Sequence, residues 1–239
     1  MDEMKSKAIV FDIWGDYAHF RKIETTTSPL TYFIPTGTAL AGMISAMIGL
    51  NRDSYYDLFS PENTRLAIRI INPFGKMRKT RINISLVDTS RGFCLRDIGE
   101  NPRTLVPCEF VKNPKYRIYL QTTNENIRVK FGDFLRKHLS FYTPSLGTAN
   151  LIANFEYVGE YDVSKTDEEI VQSVVRKDRG RLFIEENKRY GLERIPVYMN
   201  QERVVQDYAD VIYEVDGKPV KMSDTASYKI GPDNVVFLS

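Results

Sequence analysis

The sequence predicts an α+β fold in which the elements follow the order strand, helix, strand, strand, helix, strand. Segments rich in β-branched and aromatic residues recur at strand length, and two other segments have apolar residues at helical spacing. Stretches rich in Gly, Pro and Asn separate them. With 239 residues, of which 42% are hydrophobic, the chain can bury the core of one large domain or two small ones.

The first strand and the first helix are predicted within the first 50 residues. Residues 8–14, AIVFDIW, are almost continuously apolar, as in a central strand. Thr36 is the predicted N-cap of the helix that follows. Residues 25–51 carry no charge, but prolines interrupt them, and the helical part is about half of the ~20 residues that cross a bilayer. We therefore expect a buried helix and no membrane segment.

The remaining elements of the pattern lie between residues 64 and 161. Strands are predicted at 64–71, 116–121 and 151–161, and a helix at 124–139. An insertion at about 73–113 separates the second strand from the third. It contains a half-exposed strand at 78–88, with Arg81, Asn83 and Ser85 on one face, and an irregular stretch at 88–113.

This order of elements is the split βαβ, or ferredoxin-like, arrangement of RNA-recognition modules, whose sheet leaves one face open. We therefore expect residues 1–161 to form one RNA-binding part of the chain, with the basic insertion projecting from it as an arm. Residues 162–239 are expected to form a smaller, mostly β part. Its predicted elements are a short helix at 166–176, a strand at 181–185, a hairpin at 212–222 and a closing strand at 235–238.

The net charge of +2 is the sum of three segments with different charges. Residues 64–150 have sixteen basic and six acidic side chains, a net charge of +10, whereas residues 1–63 and 151–239 are both acidic. A segment this basic is typical of a surface that binds a polyanion. The alternative is a solvated basic face that an acidic neighbour balances, and charge alone does not separate the two.

Several classes of protein are excluded by composition. Two cysteines and two histidines favour neither a disulfide framework nor a zinc site. The sequence contains no nucleotide-binding glycine motif and no metalloprotease or serine-hydrolase motif. Residues 1–7 mix acidic side chains with lysines and no apolar signal-peptide core follows them, so we expect no signal peptide. We therefore expect a cytoplasmic protein without a metal or another cofactor.

A resemblance to a known family rests mainly on residues 11–50. The matching features are an apolar strand, Trp14-Gly15, Ala18-His19-Phe20-Arg21, Ser28-Pro29, Tyr32, Pro35-Thr36-Gly37-Thr38-Ala39 and Ala41-Gly42. Residues 142–147 (YTPSLG), 194–197 and 235–238 add weaker matches, whereas 88–113 match nothing. On these residues the sequence resembles the CRISPR-associated Cas5 family of the RAMP superfamily, and most closely its I-B subtype.

The resemblance implies that residues 1–161 form a ferredoxin-like RNA-binding palm with the insertion at about 73–113 as its thumb. It also implies a role in a type I CRISPR effector, the Cascade complex. A member of this family holds the repeat-derived 5′ handle of the guide RNA and caps the filament of backbone subunits. The implied partners are the guide RNA, the backbone subunit and the large subunit, with target DNA bound through the complex. The implied role is binding without catalysis.

Eight residues are candidates for RNA contact. Cations next to a turn suit phosphates, an aromatic ring beside an arginine suits unpaired bases, and a glycine permits close approach of a sugar-phosphate chain. The candidates are Lys76, Arg78, Lys79, Arg81, Phe20, Arg21, Lys22 and Gly147. The alternatives are a solvated hairpin, a buried Phe20 with solvated charges, and an ordinary turn glycine.

Two other functions remain open. Some members of the family are metal-independent endoribonucleases that process the guide-RNA precursor. Such a reaction needs a base for the ribose 2′-hydroxyl and a group that stabilises the leaving group. The candidates are His138, Lys137, Tyr142 and His19, although His138 borders an apolar helix face, where a core histidine is common. The other possibility is a protein scaffold without RNA affinity of its own.

Overall fold

The computed structural model describes residues 7–25, 28–73, 79–87 and 103–239. Within them the α-helices are α1 (Gly37–Met47) and α2 (Glu125–Arg136), and short 3-10 helices occur at Asp57–Phe59 and Lys177–Arg179. The strands of the first half are β1 (Lys7–Trp14), β2 (Tyr17–Ala18), β3 (Phe20–Arg21), β4 (Thr31–Tyr32), β5 (Thr64–Ile70), β6 (Lys79–Val87), β7 (Arg103–Lys112), β8 (Lys115–Thr122) and β9 (Asn154–Thr166). Those of the second half are β10 (Ile170–Val171), β11 (Val175–Arg176), β12 (Arg181–Phe183), β13 (Tyr190–Met199), β14 (Val205–Glu214), β15 (Val220–Ser223), β16 (Ser227–Ile230) and β17 (Asp233–Val235).

A six-stranded antiparallel sheet with the order β17-β16-β9-β1-β8-β5 forms the centre of the molecule. Its four strands β9, β1, β8 and β5, with α1 between β1 and β5 and α2 between β8 and β9, have the predicted element order. Strand β1 is paired on both sides, which explains why its residues are apolar on both faces.

The two helices cover one face of this sheet. Helix α1 begins where Thr36 Oγ1 accepts a hydrogen bond from the backbone N–H of Ala39 at 3.1 Å, as its sequence predicts. Asn124 caps α2 in the same way through Ile127. Apolar side chains of both helices and of β1, β5 and β8 share one buried cluster. The predicted helix at 124–139 ends earlier, at Arg136, because His138 has a left-handed backbone with φ of 51°.

The opposite face of the sheet is covered as well, so the expectation of an open face is wrong. Ala8, Val10 and Tyr119 of this face are buried against residues from the C-terminal part of the chain. Those residues are Ile230, Val235 and Phe237. The sheet also curls. Strands β5 and β17 stand at opposite ends of the strand order, and yet Arg69 of β5 and Asp233 of β17 form an ion pair of 2.6 Å. The apolar part of this face is therefore not available for stacking of bases.

Three predicted elements of the sequence analysis are wrong. Residues 166–176 contain the buried strands β10 and β11 rather than a helix, because their valines are β-branched and pair with other strands. Residues 212–222 do turn at Gly217, but β14 pairs with β13, and β15 pairs with β10 and β12. The stretch at 88–113 contains the regular strand β7.

The predicted division of the chain at residue 161 falls inside strand β9. The C-terminal part also contributes Ile195, Val211 and Leu238 to the cluster that contains α1 and β1. The two parts of the chain therefore share their main core.

Among the residues that the structure describes, no helix combines the length and the apolar character that a membrane crossing requires.

Candidate nucleic-acid interface

The insertion between β5 and β8 contains a two-stranded hairpin. Strand β6 pairs with β7 over nine residue pairs, from Lys79 opposite Val111 to Val87 opposite Arg103, and β7 also pairs with β2. Arg81, Ile82 and Asn83 are exposed, so both faces of the hairpin meet solvent there. The half-exposed strand predicted at 78–88 is therefore present, and it carries a cation that faces water.

The four predicted phosphate-contacting cations have different surroundings. Lys76 and Arg78 lie outside the described residues. Arg81 is exposed, and among the described side chains no carboxylate forms an ion pair with it. Lys79 is mostly buried, and its Nζ lies 3.2 Å from Glu109 Oε2 and 2.6 Å from the backbone oxygen of Thr31. Contact of these cations with RNA stays a prediction, and Arg81 has the more suitable exposure for it.

Lys79 joins the hairpin to the rest of the molecule. Its ammonium group lies 4.0 Å from the ring centre of Phe33 and 3.9 Å from Glu193 of β13. Glu193 is buried and also accepts the backbone N–H of Phe33 at 2.9 Å. Burial, together with the charge of Glu193, raises the pKa of the neighbouring Tyr213 hydroxyl. This arrangement gives Lys79 a structural role at the base of the hairpin.

The residues after the first strand also differ from one another. The ring of Phe20 is buried and packs edge-on against Tyr116, so the alternative of a core phenylalanine applies. Lys22 forms a 2.9 Å ion pair with Glu193. Arg21 is exposed and donates to the backbone oxygen of Thr25 at 3.1 Å. Of these three side chains, Arg21 is the one that presents a charge to solvent. No carboxylate of the described residues forms an ion pair with it.

Gly147 makes a close approach to protein backbone. Its φ is +107°, and an added Cβ would lie 1.9 Å from the carbonyl oxygen of His19. The neighbouring Leu146 carbonyl accepts the N–H of His19 at 2.9 Å. The loop at 142–148 is therefore held against the segment after β1. The geometry explains the glycine by packing, and approach of a sugar-phosphate chain stays a prediction.

The four candidate catalytic residues fall into two groups. His19 is buried, and its Nδ1–H donates to the backbone oxygen of Glu109 at 2.7 Å. Lys137, His138 and Tyr142 are exposed and follow one another at the end of α2. The His138 ring stacks on Phe155 with ring centres 4.5 Å apart and an interplanar angle of 16°. A general base needs access to its substrate, so this exposed group is better placed for ribose chemistry than His19.

Part of the charge of the predicted basic segment is paired within the protein. Six of its sixteen cations form ion pairs with carboxylates in the described residues: Arg69, Lys79, Lys115, Arg117, Arg128 and Arg136. Several of the carboxylates come from the acidic flanks, for example Asp12, Glu160 and Asp233. The pairing between Asp12 and Arg117 raises the pKa of that guanidinium. The alternative of a basic segment balanced by acidic neighbours therefore applies to a minority of these cations.

Sequence reasoning missed the carboxylates that hold these cations. Asp12, Glu109 and Glu193 each lie within strands that are otherwise mostly apolar or alternating. A carboxylate inside a buried strand needs a cationic partner, so an acidic residue within an apolar strand sequence could have indicated an ion pair. The cationic partners of these three carboxylates, however, lie from 30 residues (Lys79 and Glu109) to 171 residues (Lys22 and Glu193) away in the chain, so spacing could not identify them. The described residues contain no group of three acidic, His or Cys side chains that could hold a metal ion.

Comparison with known proteins identifies the family. A family model described as CRISPR-associated protein (Cas_Cas5) matches residues 8–216, which is most of the chain. The crystal structure of a CRISPR protein from Archaeoglobus fulgidus superposes with a TM-score of 0.59 at 12% sequence identity. That likeness covers 97% of this chain and 99% of the other and supports the same fold.

Two further solved structures superpose with lower TM-scores. A chain of a CRISPR RNA-guided surveillance complex has a TM-score of 0.49 at 11% identity, with 90% of both chains covered. A chain of a type III-B Cmr-beta complex bound to cognate target RNA has a TM-score of 0.45 at 11% identity, covering 90% of this chain and 86% of the other. A search of curated proteins found no match. The family match over residues 8–216 is therefore decisive, and the chain belongs to the CRISPR-associated Cas5 family.

Proposed function

We propose that this protein is a guide-RNA-binding, non-catalytic subunit of a type I CRISPR effector of the I-B kind. It holds the repeat-derived 5′ handle of the guide RNA and caps the filament of backbone subunits. It also contacts the large subunit, and it meets target DNA through the assembled complex. Membership of the Cas5 family supports a role in a CRISPR effector, and the finer assignment is the proposal.

The observation that carries the RNA-binding proposal is the hairpin of β6 and β7. It leaves the sheet at the end of β5, and Arg81 on it is exposed without a carboxylate partner among the described residues. The insertion at 73–113 has eight basic and four acidic residues. One basic residue, Lys79, and one acidic residue, Glu109, form an ion pair with each other. An ordered, cationic hairpin can position a phosphate chain without reading its sequence.

The fold assignment in this proposal is a ferredoxin-like palm with a thumb. The four strands β9, β1, β8 and β5 and the two helices on one face support it. Since the other face is covered by C-terminal residues, RNA is held at the hairpin and at the exposed rim that carries Arg21. The sheet itself is a rigid support for these elements.

The proposal is tested by RNA binding of the full chain. Fluorescence anisotropy with a labelled 5′-handle RNA is measured from 50 to 300 mM salt for the natural protein and for Arg21→Gln with Arg81→Gln. Each lost phosphate contact on single-stranded RNA lowers the slope of log affinity against log salt by about 0.7, so we expect a decrease of about 1.4. We also expect weaker binding at every salt concentration.

The matched control is Arg52→Gln with Arg203→Gln. These arginines are exposed, and both contact Asp53 away from the hairpin. They should leave the affinity and the salt slope unchanged. Equal binding by both double variants would remove Arg21 and Arg81 from the interface, and a natural protein without affinity for the RNA would favour the scaffold function instead.

The second candidate function, guide-RNA processing, is favoured by one observation. Lys137 and His138 are exposed directly after α2, stacking on Phe155 holds the imidazole in place, and Tyr142 is exposed in the loop that follows. Incubation with a repeat-containing transcript in the presence of EDTA tests it. Cleavage at the repeat that disappears in His138→Ala, and not in the control His19→Gln, would replace the non-catalytic proposal with a ribonuclease.

A further inference from the structure

Strand β5 carries two arginines on the face that points away from the helices. Arg69 donates to Asp233 Oδ1 at 2.6 Å, so its charge is paired. Arg65 lies four residues earlier on the same face and is also partly buried. Among the described residues no carboxylate forms an ion pair with Arg65, and its guanidinium lies over the ring of Tyr228 with a distance of 6.0 Å to the ring centre. The two ends of β5 therefore differ in the pairing of their cations.

Arg65 lines a cleft together with a second unpaired arginine. The cleft has a volume of about 200 Å³, and its lining residues are Pro61, Arg65, Arg179, Ala226, Tyr228, Val236, Phe237 and Ser239. Arg179 is exposed, and the carboxylate next to it in sequence, Asp178, is bound by Arg176 at 3.0 and 2.9 Å. Two guanidinium groups therefore line one small cavity, and the described residues supply neither with an ion-pair partner.

We propose that this cleft binds a phosphate ester. A partly buried guanidinium loses hydration and is stabilised when an anion supplies the missing hydrogen-bond acceptors. Its planar fork of N–H donors matches the oxygens of a phosphate group, and two such forks can bind one group from two sides. Stacking on Tyr228 limits the orientations of the Arg65 side chain, which lowers the entropy that binding costs.

The size and the position of the cleft limit which phosphate esters it can bind. Its volume is below the roughly 300 Å³ of pockets that enclose a whole drug-sized molecule, so it fits a phosphate with part of its sugar. Arg65 pairs in register with Gln121 at the far end of β8, whereas the hairpin joins β5 beyond Ile70. The cleft is therefore separate from the hairpin and binds either a further phosphate of a nucleic-acid strand or a free nucleotide.

The test uses the full chain with two probes. Differential scanning fluorimetry compares AMP with adenosine, which lacks the phosphate, and anisotropy measures a labelled 12-nucleotide RNA over a range of salt concentrations. We expect AMP, and not adenosine, to raise the Tm by a few degrees. In the double variant Arg65→Gln with Arg179→Gln, AMP should no longer raise the Tm. If a nucleic-acid strand occupies the cleft, the slope of log RNA affinity against log salt should also fall by about 1.4 in this variant.

Each outcome has a definite meaning. Loss of the AMP shift with unchanged RNA binding supports a free phosphate ester, and loss of both supports a strand. Absence of an AMP shift in the natural protein, together with unchanged RNA binding in the variant, would overturn the proposal. Arg65→Lys with Arg179→Lys retains the charges without the forks, so a folded variant with weaker AMP binding separates recognition from stability. Arg52→Gln with Arg203→Gln is again the matched control, and the result does not depend on Arg21 or Arg81.

Discussion

At the scale of single residues, Gly147 has a conformation that a side chain would prevent. The positive φ alone disfavours other residues, and the His19 carbonyl occupies the place of a Cβ. The hydrogen bond between His19 N–H and the Leu146 carbonyl keeps the two segments together. The loop at 142–148 and the segment after β1 are therefore one structural unit.

We predict that Gly147→Ala destabilises the protein by about 3 kcal/mol or more, because backbone strain adds to the steric conflict. Gly132→Ala is the control in a helix, since its Cβ would lie 3.4 Å from the flexible end of Arg136. That substitution should stabilise the protein by about 0.5–1 kcal/mol. Urea denaturation followed by circular dichroism measures both, and a tolerated Gly147→Ala would contradict the packing described.

Buried tyrosines make the stability sensitive to high pH. Burial, helped by the charges of Glu24 and Glu193, raises the pKa of Tyr32 to about 12, and burial is also the main cause of the raised pKa of Tyr119. Between pH 10 and 12 the unfolded chain releases protons that the folded protein retains. The stability is therefore complete below pH 10 and decreases as pH rises through this range.

We predict that Tyr32→Phe removes one of these linked protons. The Tyr32 hydroxyl is buried and has no hydrogen-bond partner among the described residues, so the variant should lose little stability at pH 7. Between pH 10 and 12 the free energy of unfolding of the variant should fall less steeply than that of the natural protein. The two slopes should differ by about 1.4 kcal/mol per pH unit. Urea denaturation at pH 7, 10, 11 and 12 measures this, and parallel curves for both proteins would refute the linkage.

At the scale of elements, Lys79 is one of several contacts that attach the hairpin of β6 and β7, beside the pairing of β7 with β2. Lys79 bridges Glu109 of its own hairpin and Glu193 of β13, and it also covers the ring of Phe33. Removal of Lys79 leaves the mostly buried Glu109 without its cation, whereas Glu193 keeps Lys22 at 2.9 Å. The ammonium group of Lys79 therefore contributes to the stability at the base of the hairpin.

We predict that Lys79→Met costs about 3 kcal/mol of stability, whereas Arg81→Met changes it by less than about 0.5 kcal/mol. Arg81→Met should instead weaken RNA binding. Urea denaturation and RNA anisotropy on the same two variants give the comparison. If Lys79→Met keeps full stability and loses RNA binding, then Lys79 contacts phosphate directly and its pairing is incidental.

At the scale of the whole molecule, the C-terminal part completes the fold of the N-terminal part. Leu238 N–H donates to the Leu66 carbonyl at 2.8 Å, and its side chain lies in the main cluster. Strand β9 crosses the expected boundary, and β16 and β17 extend the central sheet. We therefore expect the N-terminal and C-terminal parts to unfold together as one cooperative unit.

We predict a single unfolding transition in urea. Fluorescence of Trp14, the only tryptophan, reports on the central sheet, and far-UV circular dichroism reports on all strands. Both should have the same midpoint in the natural protein and should shift together in Leu238→Ala, which is expected to cost about 2–5 kcal/mol. Two separate transitions would indicate that residues 162–239 fold independently.

By itself the sequence determined the α+β class, the order of the six main elements, the capped charge-free helix α1 and the family. Apolar periodicity and capping residues are local, so they can be read within a window of a few residues. The sequence also placed a basic insertion between β5 and β8 correctly. It could not show which cations remain unpaired. Lys79 and Arg81 are two residues apart and equally charged, and their roles differ because of carboxylates distant in the chain.

Only the tertiary structure decided which surfaces are open. C-terminal residues cover the apolar part of the sheet face that the element order suggested was free, and carboxylates of the acidic flanks pair with five of the sixteen cations of the basic segment. The same structure left Arg65 and Arg179 together in a cleft, although they are 114 positions apart in the chain. Long-range pairing and burial depend on how distant segments meet, and no local pattern encodes that meeting.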